Sequence, residues 1–369
     1  MKVLFCLRHN FNSSPGGAQV QILKTKEYLE KLGVTCDITV SPLGVNYNDY
    51  DILHLTDLTW VYDNLFYLKE IEKQNFSGKR FLSTIYWPFD DYALNGAPYF
   101  QKLIFKIFGI NGFEFTKALG KYFFKRNNVY LEGIKSKYIE NQKKIVRAVD
   151  WLLPNAETEM QALNGRLDLK NKNYSVANNA IDTIMFDEVL SKNSITKNNN
   201  LITFVARIDP RKNQLRFLQA MINTKFLIRF IGNPGPNSAG YLKKLKALAE
   251  TRGNVEFISH ITQREVFEHM LEAKLNVLTS WVETPGLVSL EAVYAKCNIL
   301  VSKKGSVVDY FKDYAFYCAP DNIEEIKKQT INAMNTDFNE SFRDLIKTEY
   351  AWQVTAAQTL AAYKMVLNE

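Results

Sequence analysis

Short apolar runs recur along this chain, each leading through a turn into a stretch with helical apolar spacing, and the series is gone through twice. In the first half Val3–Leu7, Thr35–Val40, Ile52–Leu55, Phe81–Ile85 and Asp150–Pro154 read as strands. Ala18–Leu32 follows the Gly16-Gly17 turn with Val20, Leu23, Tyr28, Leu29 and Leu32 at helical intervals, and Asn155 stands where it would cap a helix over Ala156–Leu163. The second half starts again with strands at Leu201–Val205, Lys225–Ile231, Val255–Ile258, Leu275–Leu278 and Asn298–Val301. Between them the spacing predicts helices over Gln214–Ile222, Tyr241–Arg252, Gln263–Leu271 and Leu287–Lys296. Strands separated by helices pair in parallel, through right-handed crossovers. The expected fold class is therefore α/β: two Rossmann-like, doubly wound domains facing a cleft, with ligands held at the carboxyl ends of the strands.

A chain of 369 residues with 46% apolar composition has room for two such cores. The expected division is a first domain over 1–185, a linker over 186–200, a second domain over 201–348 and a closing segment over 349–369. The linker expectation rests on the polar, Lys/Asn-rich Ser191–Asn200. The four cysteines (Cys6, Cys36, Cys297, Cys318) and four histidines (His9, His54, His260, His269) show no metal or redox spacing, so reduced buried thiols and no bound metal are expected. The N-terminal apolar run is too short for a signal peptide, and no run reaches membrane-spanning length. The expected location is cytoplasmic, peripheral at the inner face of the membrane.

The formal charge is +7. One region, about 101–147, carries 11 cations against 3 anions, interleaved with Ile104, Phe105, Ile107, Phe108, Phe113, Phe115, Tyr122 and Phe123. Two readings stand: an interfacial surface for anionic lipid or a lipid-linked acceptor, or an amphipathic insert packed on its own domain with a solvated basic face. Charge alone also admits nucleic acid, but no base-stacking motif supports it, and none is expected as a partner.

The chemistry concentrates after the Leu275–Leu278 strand. Glu283 and Glu291 bracket Thr284-Pro285-Gly286-Leu287-Val288-Ser289-Leu290. A strand running through a Pro-Gly turn into a helix presents unpaired backbone N–H groups, here those of Gly286, Leu287 and Val288, and these favour phosphate. Carboxylates on either side of the turn accept hydrogen bonds from diols. Arg207 and Lys212 follow the first strand of the second half, a fork-shaped and a point cation five residues apart, able to reach a diphosphate from one side. Together these features describe a nucleotide-sugar site.

The segment Glu283 to Ala292 resembles the E-x7-E segment of retaining GT-B glycosyltransferases of the large bacterial GT4-type family. Three more matches come in order: Gly16-Gly17-Ala18 after the first strand, Asn179-Ala180-Ile181-Asp182 with Phe186, and Val205-Ala206-Arg207-Ile208-Asp209-Pro210-Arg211-Lys212-Asn213. The resemblance implies a retaining, hexosyltransferase-type enzyme using a nucleoside-diphosphate sugar and no metal cofactor. It implies catalytic roles for Arg207, Lys212 and Glu283, with the two cations stabilising the leaving diphosphate and Glu283 on the sugar hydroxyls. It places Glu291 on the ribose, and Gly17, Gly235, His260, Ile261, Gly286, Leu287 and Val288 around the donor. It also implies that the last helix, with Trp352 as anchor, crosses back to the first domain. The implied acceptor is a glycan or lipid-linked glycan in bacterial surface polysaccharide assembly, such as O-antigen or capsule.

The chain departs from the family pattern in places. Tyr86-Trp87-Pro88-Phe89-Asp90-Asp91 stands where many members carry a histidine, so Gly16, Tyr86 and Trp87 are the candidates on the acceptor or sugar side. Ala206 replaces a frequent glycine, and Lys304-Gly305-Ser306 keeps one glycine of two. Alternative functions are a nucleotide-sugar epimerase or phosphorylase on the same fold, or a non-catalytic partner subunit.

Overall fold

The computed structural model describes residues 1–11, 16–125, 137–169, 171–192 and 194–368, except the side chains of Lys121, Phe124 and Lys125. The chain divides into two units. The first comprises Met1–Asp90, Pro98–Asn179 and Trp352–Glu369, and the second Asp91–Ala97 with Ala180–Ala351.

The first unit holds a five-stranded sheet in the order β2-β1-β3-β4-β5. The strands are β1 (Lys2–Cys6), β2 (Thr35–Thr39), β3 (Ile52–Thr56), β4 (Lys79–Ser83) and β5 (Trp151–Leu153). All pairings are parallel. Every residue of β3 is buried, as expected for a central strand covered on both faces. That burial includes His54. Its Nε2 pairs with the Ser83 hydroxyl at 2.8 Å and its Nδ1 with the Tyr363 hydroxyl, so both ring nitrogens are satisfied. Tyr363 lies on the final helix, Trp352–Leu367, and also packs edge-on against Phe81 with ring centroids 4.8 Å apart. The same helix receives the Asn178 N–H on Gln358 and donates from Thr355 to the Asn178 carbonyl. Trp352 is buried at its start.

Two local expectations are corrected in this unit. Asn155 does not cap a helix: the helix runs over Glu157–Leu167 with Ala156 at its N-cap, and the buried Asn155 side chain accepts a 2.6 Å hydrogen bond from Gln21. The strand expected over Phe81–Ile85 is Lys79–Ser83, because Ile85 has φ +41° and ends the extended run. The region expected to break the pattern does so: a helix spans Tyr99–Lys125 with a kink at Gly109, and a second spans Tyr138–Ala148. Of the expected insert, 126–136 lies outside the described residues.

The second unit holds a six-stranded parallel sheet in the order β11-β10-β9-β6-β7-β8. Its strands are β6 (Asn198–Val205), β7 (Leu227–Ile231), β8 (Val255–Ile258), β9 (Ala273–Leu278), β10 (Asn298–Ser302) and β11 (Phe316–Cys318). The polar stretch expected to be a linker is not one. A helix covers Thr183–Lys192, and β6 already begins at Asn198. Lys197 turns inward, its ammonium donating to the carbonyls of Ala273 at 2.7 Å and Ala295 at 2.9 Å. A polar residue that satisfies main-chain carbonyls of distant elements looks like linker composition in sequence. All four cysteines are buried thiols.

Candidate functional site

In the second unit the expected site residues gather along one edge of one sheet, in the loops that follow the carboxyl ends of its strands. The loop after β6 is organised by Asp209. One carboxylate oxygen accepts from the N–H groups of Arg211 at 2.9 Å and Lys212 at 3.3 Å, capping the short turn Pro210–Lys212. The other accepts from Arg207 Nε at 3.0 Å. Arg207 is thereby oriented through its Nε, while its side chain stays 43% exposed. The loop is fastened behind by Asn213, in the left-handed region at φ +69°, whose buried amide donates to the carbonyls of Thr279 at 3.1 Å and Pro320 at 2.6 Å. The Trp281 N–H donates to the Arg211 carbonyl at 2.9 Å.

This fastening brings Lys212 to Glu283, and the two form a partly buried ion pair. Glu283 is held by its backbone against the loop after β10. Its N–H donates to the Lys304 carbonyl at 3.3 Å, and its carbonyl accepts from the Ser306 N–H at 3.1 Å. Gly305 makes that approach possible: a Cβ there would lie 1.7 Å from the Glu283 carbonyl oxygen, and its φ is +109°. Gly286 is required in the same way. It has φ +86°, and a Cβ would fall 2.8 Å from Leu278. Gly286 is the N-cap of the Leu287–Tyr294 helix and carries no side chain to cap it, and its carbonyl accepts from the Ser289 N–H at 2.9 Å.

Glu291 sits one turn further on. It is 8% exposed and accepts a 2.7 Å hydrogen bond from the Gln263 side chain. Burial pushes its carboxyl up from 4.5 to about 7, and the Gln263 bond offsets part of that shift. On the other side, the loop after β7 lies on the Arg207 loop: the Gly235 N–H donates to the Ile208 carbonyl at 2.9 Å, and a Cβ on Gly235 would come within 3.3 Å of Arg207. The loop after β8 joins it through the His260 N–H, which donates to the Asn233 side chain at 3.2 Å. His260 is exposed in the left-handed region, and Ile261 beside it is half-buried.

Gly16, Gly17, Tyr86 and Trp87 belong to the first unit. Gly16 is extended and exposed, and a Cβ on it would meet nothing within 4 Å, so neither backbone nor packing demands glycine there. Tyr86 lies inward. It is 3% exposed and packed in the core of the first unit, and burial pushes its hydroxyl up to about 12. Trp87 is half-buried. Glu159 is buried behind this segment. It accepts from the N–H groups of Tyr86 at 2.9 Å and Asn155 at 3.1 Å and from the Thr84 hydroxyl, and burial pushes it to about 7. The aspartates that follow are held: Asp90 by Arg166 at 3.0 Å, and Asp91, grouped with the second unit, by Lys304 at 2.5 Å.

Sequence reasoning passed over Asp209, Asn213, Gln263 and Gly305 as organisers. For Gln263 a signal existed. Thr262 and Glu265 form a capping box, which puts Gln263 at the first helical position. Among the described residues no group of three or more His, Cys, Asp or Glu is placed to hold a metal.

Residues 185–352 match the family model described as Glycosyl transferases group 1. The matched stretch falls almost wholly within the second unit, which runs over Asp91–Ala97 and Ala180–Ala351. A curated relative, D-inositol 3-phosphate glycosyltransferase of a Nocardioides species, is 21% identical over 262 residues, or 63% of this chain. The chain spans 57% of that relative's length. Among solved structures, sucrose-phosphate synthase from Thermosynechococcus elongatus superposes with a TM-score of 0.73 at 12% identity, covering 100% of this chain and 99% of that one. The Anabaena protein HepE in complex with UDP gives 0.65 at 12% identity, covering 99% and 100%. These likenesses establish the fold as that of GT-B glycosyltransferases.

Proposed function

We propose that the protein transfers a sugar from a nucleoside-diphosphate sugar to an acceptor hydroxyl with retention of anomeric configuration. The observation that carries this reading is the strand-end cluster of the second unit. Arg207 and Lys212 stand on one Asp209-organised loop, Lys212 pairs with Glu283, and Glu283 precedes the uncapped start of the Leu287–Tyr294 helix. A diphosphate entering there meets two cations and a helix start without a side-chain cap, so charge developing on the leaving group is stabilised by a preorganised array. The diphosphate competes with Glu283 for Lys212, and the displaced carboxylate turns to the sugar hydroxyls. Glu291, set back at the helix, accepts from the ribose diol. HepE has been solved with UDP and with UDP-glucose, which supports a uridine nucleotide sugar as the first donor class to try here. The acceptor we propose is a hydroxyl of a lipid-linked glycan in surface polysaccharide assembly, supported by the basic, aromatic character of 101–147.

Thermal-shift measurement against UDP-, GDP- and other sugar nucleotides tests the reading, because a ligand that binds only the folded state raises the melting temperature by mass action. The expected result is a rise with one sugar nucleotide class that disappears in Lys212→Ala and in Glu291→Ala. No shift with any nucleoside diphosphate or sugar nucleotide would remove the proposal.

A further inference from the structure

The first half of the Tyr99–Lys125 helix spends little of its apolar surface on the core. Tyr99, Phe100, Ile107 and Phe108 are 62–81% exposed, and Leu103 is exposed beside them. At 100° per residue, Tyr99, Phe100, Leu103 and Ile107 fall within about 100° of one face, and Phe108 extends the stripe on one side. Phe105, roughly opposite, is buried and packs edge-on against Phe113 with centroids 5.9 Å apart, so the helix is anchored by one face and bares the other. Lys102 and Lys106 lie along the other border of the bare stripe, where a long stem can run beside apolar surface and carry its ammonium outward. The whole helix carries five lysines against one glutamate, Glu114, which is itself paired with Lys117 at 2.5 Å. Single exposed apolar residues are ordinary, whereas a continuous aromatic and aliphatic stripe bordered by cations is not. Among the described residues no helix is long and apolar enough to cross a membrane.

We propose that this stripe is a docking surface for an anionic phospholipid bilayer. The helix lies in the interface plane, with Tyr99, Phe100, Leu103, Ile107 and Phe108 at the boundary between headgroups and acyl chains and Lys102 and Lys106 at the phosphates. The charge of the helix selects the occupant: a second copy of this chain would bring the same positive face, whereas an anionic leaflet complements it. The inference shares the 101–147 region with the proposed acceptor but not the donor site, and its test requires no sugar nucleotide.

The full chain is floated with vesicles of phosphatidylcholine alone and of phosphatidylcholine with an equal part of phosphatidylglycerol. The wild type is expected to float with the anionic vesicles and to remain largely unbound with the neutral ones. A Tyr99→Ser, Phe100→Ser, Ile107→Ser triple variant is expected to partition at least about tenfold less, and Lys102→Gln with Lys106→Gln roughly fivefold less per lysine. All the replaced residues lie outside the core, so circular dichroism and any nucleotide-induced thermal shift should be those of the wild type in both variants. A wild type that stays with the unbound fraction, or a triple variant that floats as the wild type does, overturns the proposal. A wild-type dimer in light scattering that the triple variant converts to monomer, with no flotation of either, overturns it in favour of self-association.

Discussion

Asp209 shows how a single side chain can organise a loop. Its two oxygens cap a turn and orient Arg207, so Asp209→Ala removes both effects. Loss of the cap costs about 1 kcal/mol of stability. The larger expected effect is a rise in KM for the proposed sugar-nucleotide donor, with the melting temperature lowered by only a few degrees. Steady-state kinetics beside a thermal melt check the pair of outcomes. Lys212→Ala tests the chemistry itself: turnover is expected to fall on the order of a hundredfold or more while circular dichroism stays unchanged. Unaltered turnover would remove Lys212 from the reaction. Neither role could be separated by composition, because Arg211 sits between the two cations. What distinguishes them is that Arg207 meets Asp209 and Lys212 meets Glu283.

At the scale of elements, the strand-turn-helix units were legible and their mutual bracing was not. The run from β9 through Gly286 into its helix is local, governed by a glycine with positive φ and by apolar periodicity, so its reading from sequence survives in the structure. The loop after β10 is different. The glycine retained in Lys304-Gly305-Ser306 is the one that lies against the Glu283 backbone, which only the neighbouring of β9 and β10 explains. Gly305→Ala is expected to lower the melting temperature and to weaken nucleotide binding together, since the loop must retreat from Glu283. Gly16→Ala, with open space around it, should change stability by less than about 0.5 kcal/mol. A thermal melt of both variants separates a glycine demanded by packing from one that is not. The final helix offers a parallel case. Tyr363→Phe removes the partner of a fully buried imidazole nitrogen and should cost about 1–3 kcal/mol in chemical denaturation.

On the scale of the whole molecule, buried titratable groups give stability a pH dependence with two opposed limbs. Burial holds Glu159 and Glu291 at about 7 in the folded chain, above their ordinary 4.5. Each therefore binds its proton more tightly when folded, and its contribution is full below about 4.5 and is lost as pH rises through about 7. His54 runs the other way. Burial lowers it from 6.5 to about 3, so the unfolded chain takes up the proton first, and stability falls as pH drops from 6.5 toward 3. Melting temperature followed from pH 4.5 to 7 should decline less steeply in Glu291→Gln than in the wild type, with a difference on the order of 3 kcal/mol at the upper end. Identical slopes would show that Glu291 ionises freely in the folded state.

The two α/β halves and the glutamate-bracketed turn followed from the sequence alone, because apolar periodicity and turn chemistry are local, and parallel pairing followed from the helices that separate successive strands. The meeting of Lys212 with Glu283, the brace of Gly305, the inward Lys197 and the burial of Tyr86 and Glu159 were decided by tertiary structure. The physical reason is the same in each case. Strand order and register determine which distant loops share an edge and which polar group finds a partner away from water, and neither is written in the local periodicity of a single element.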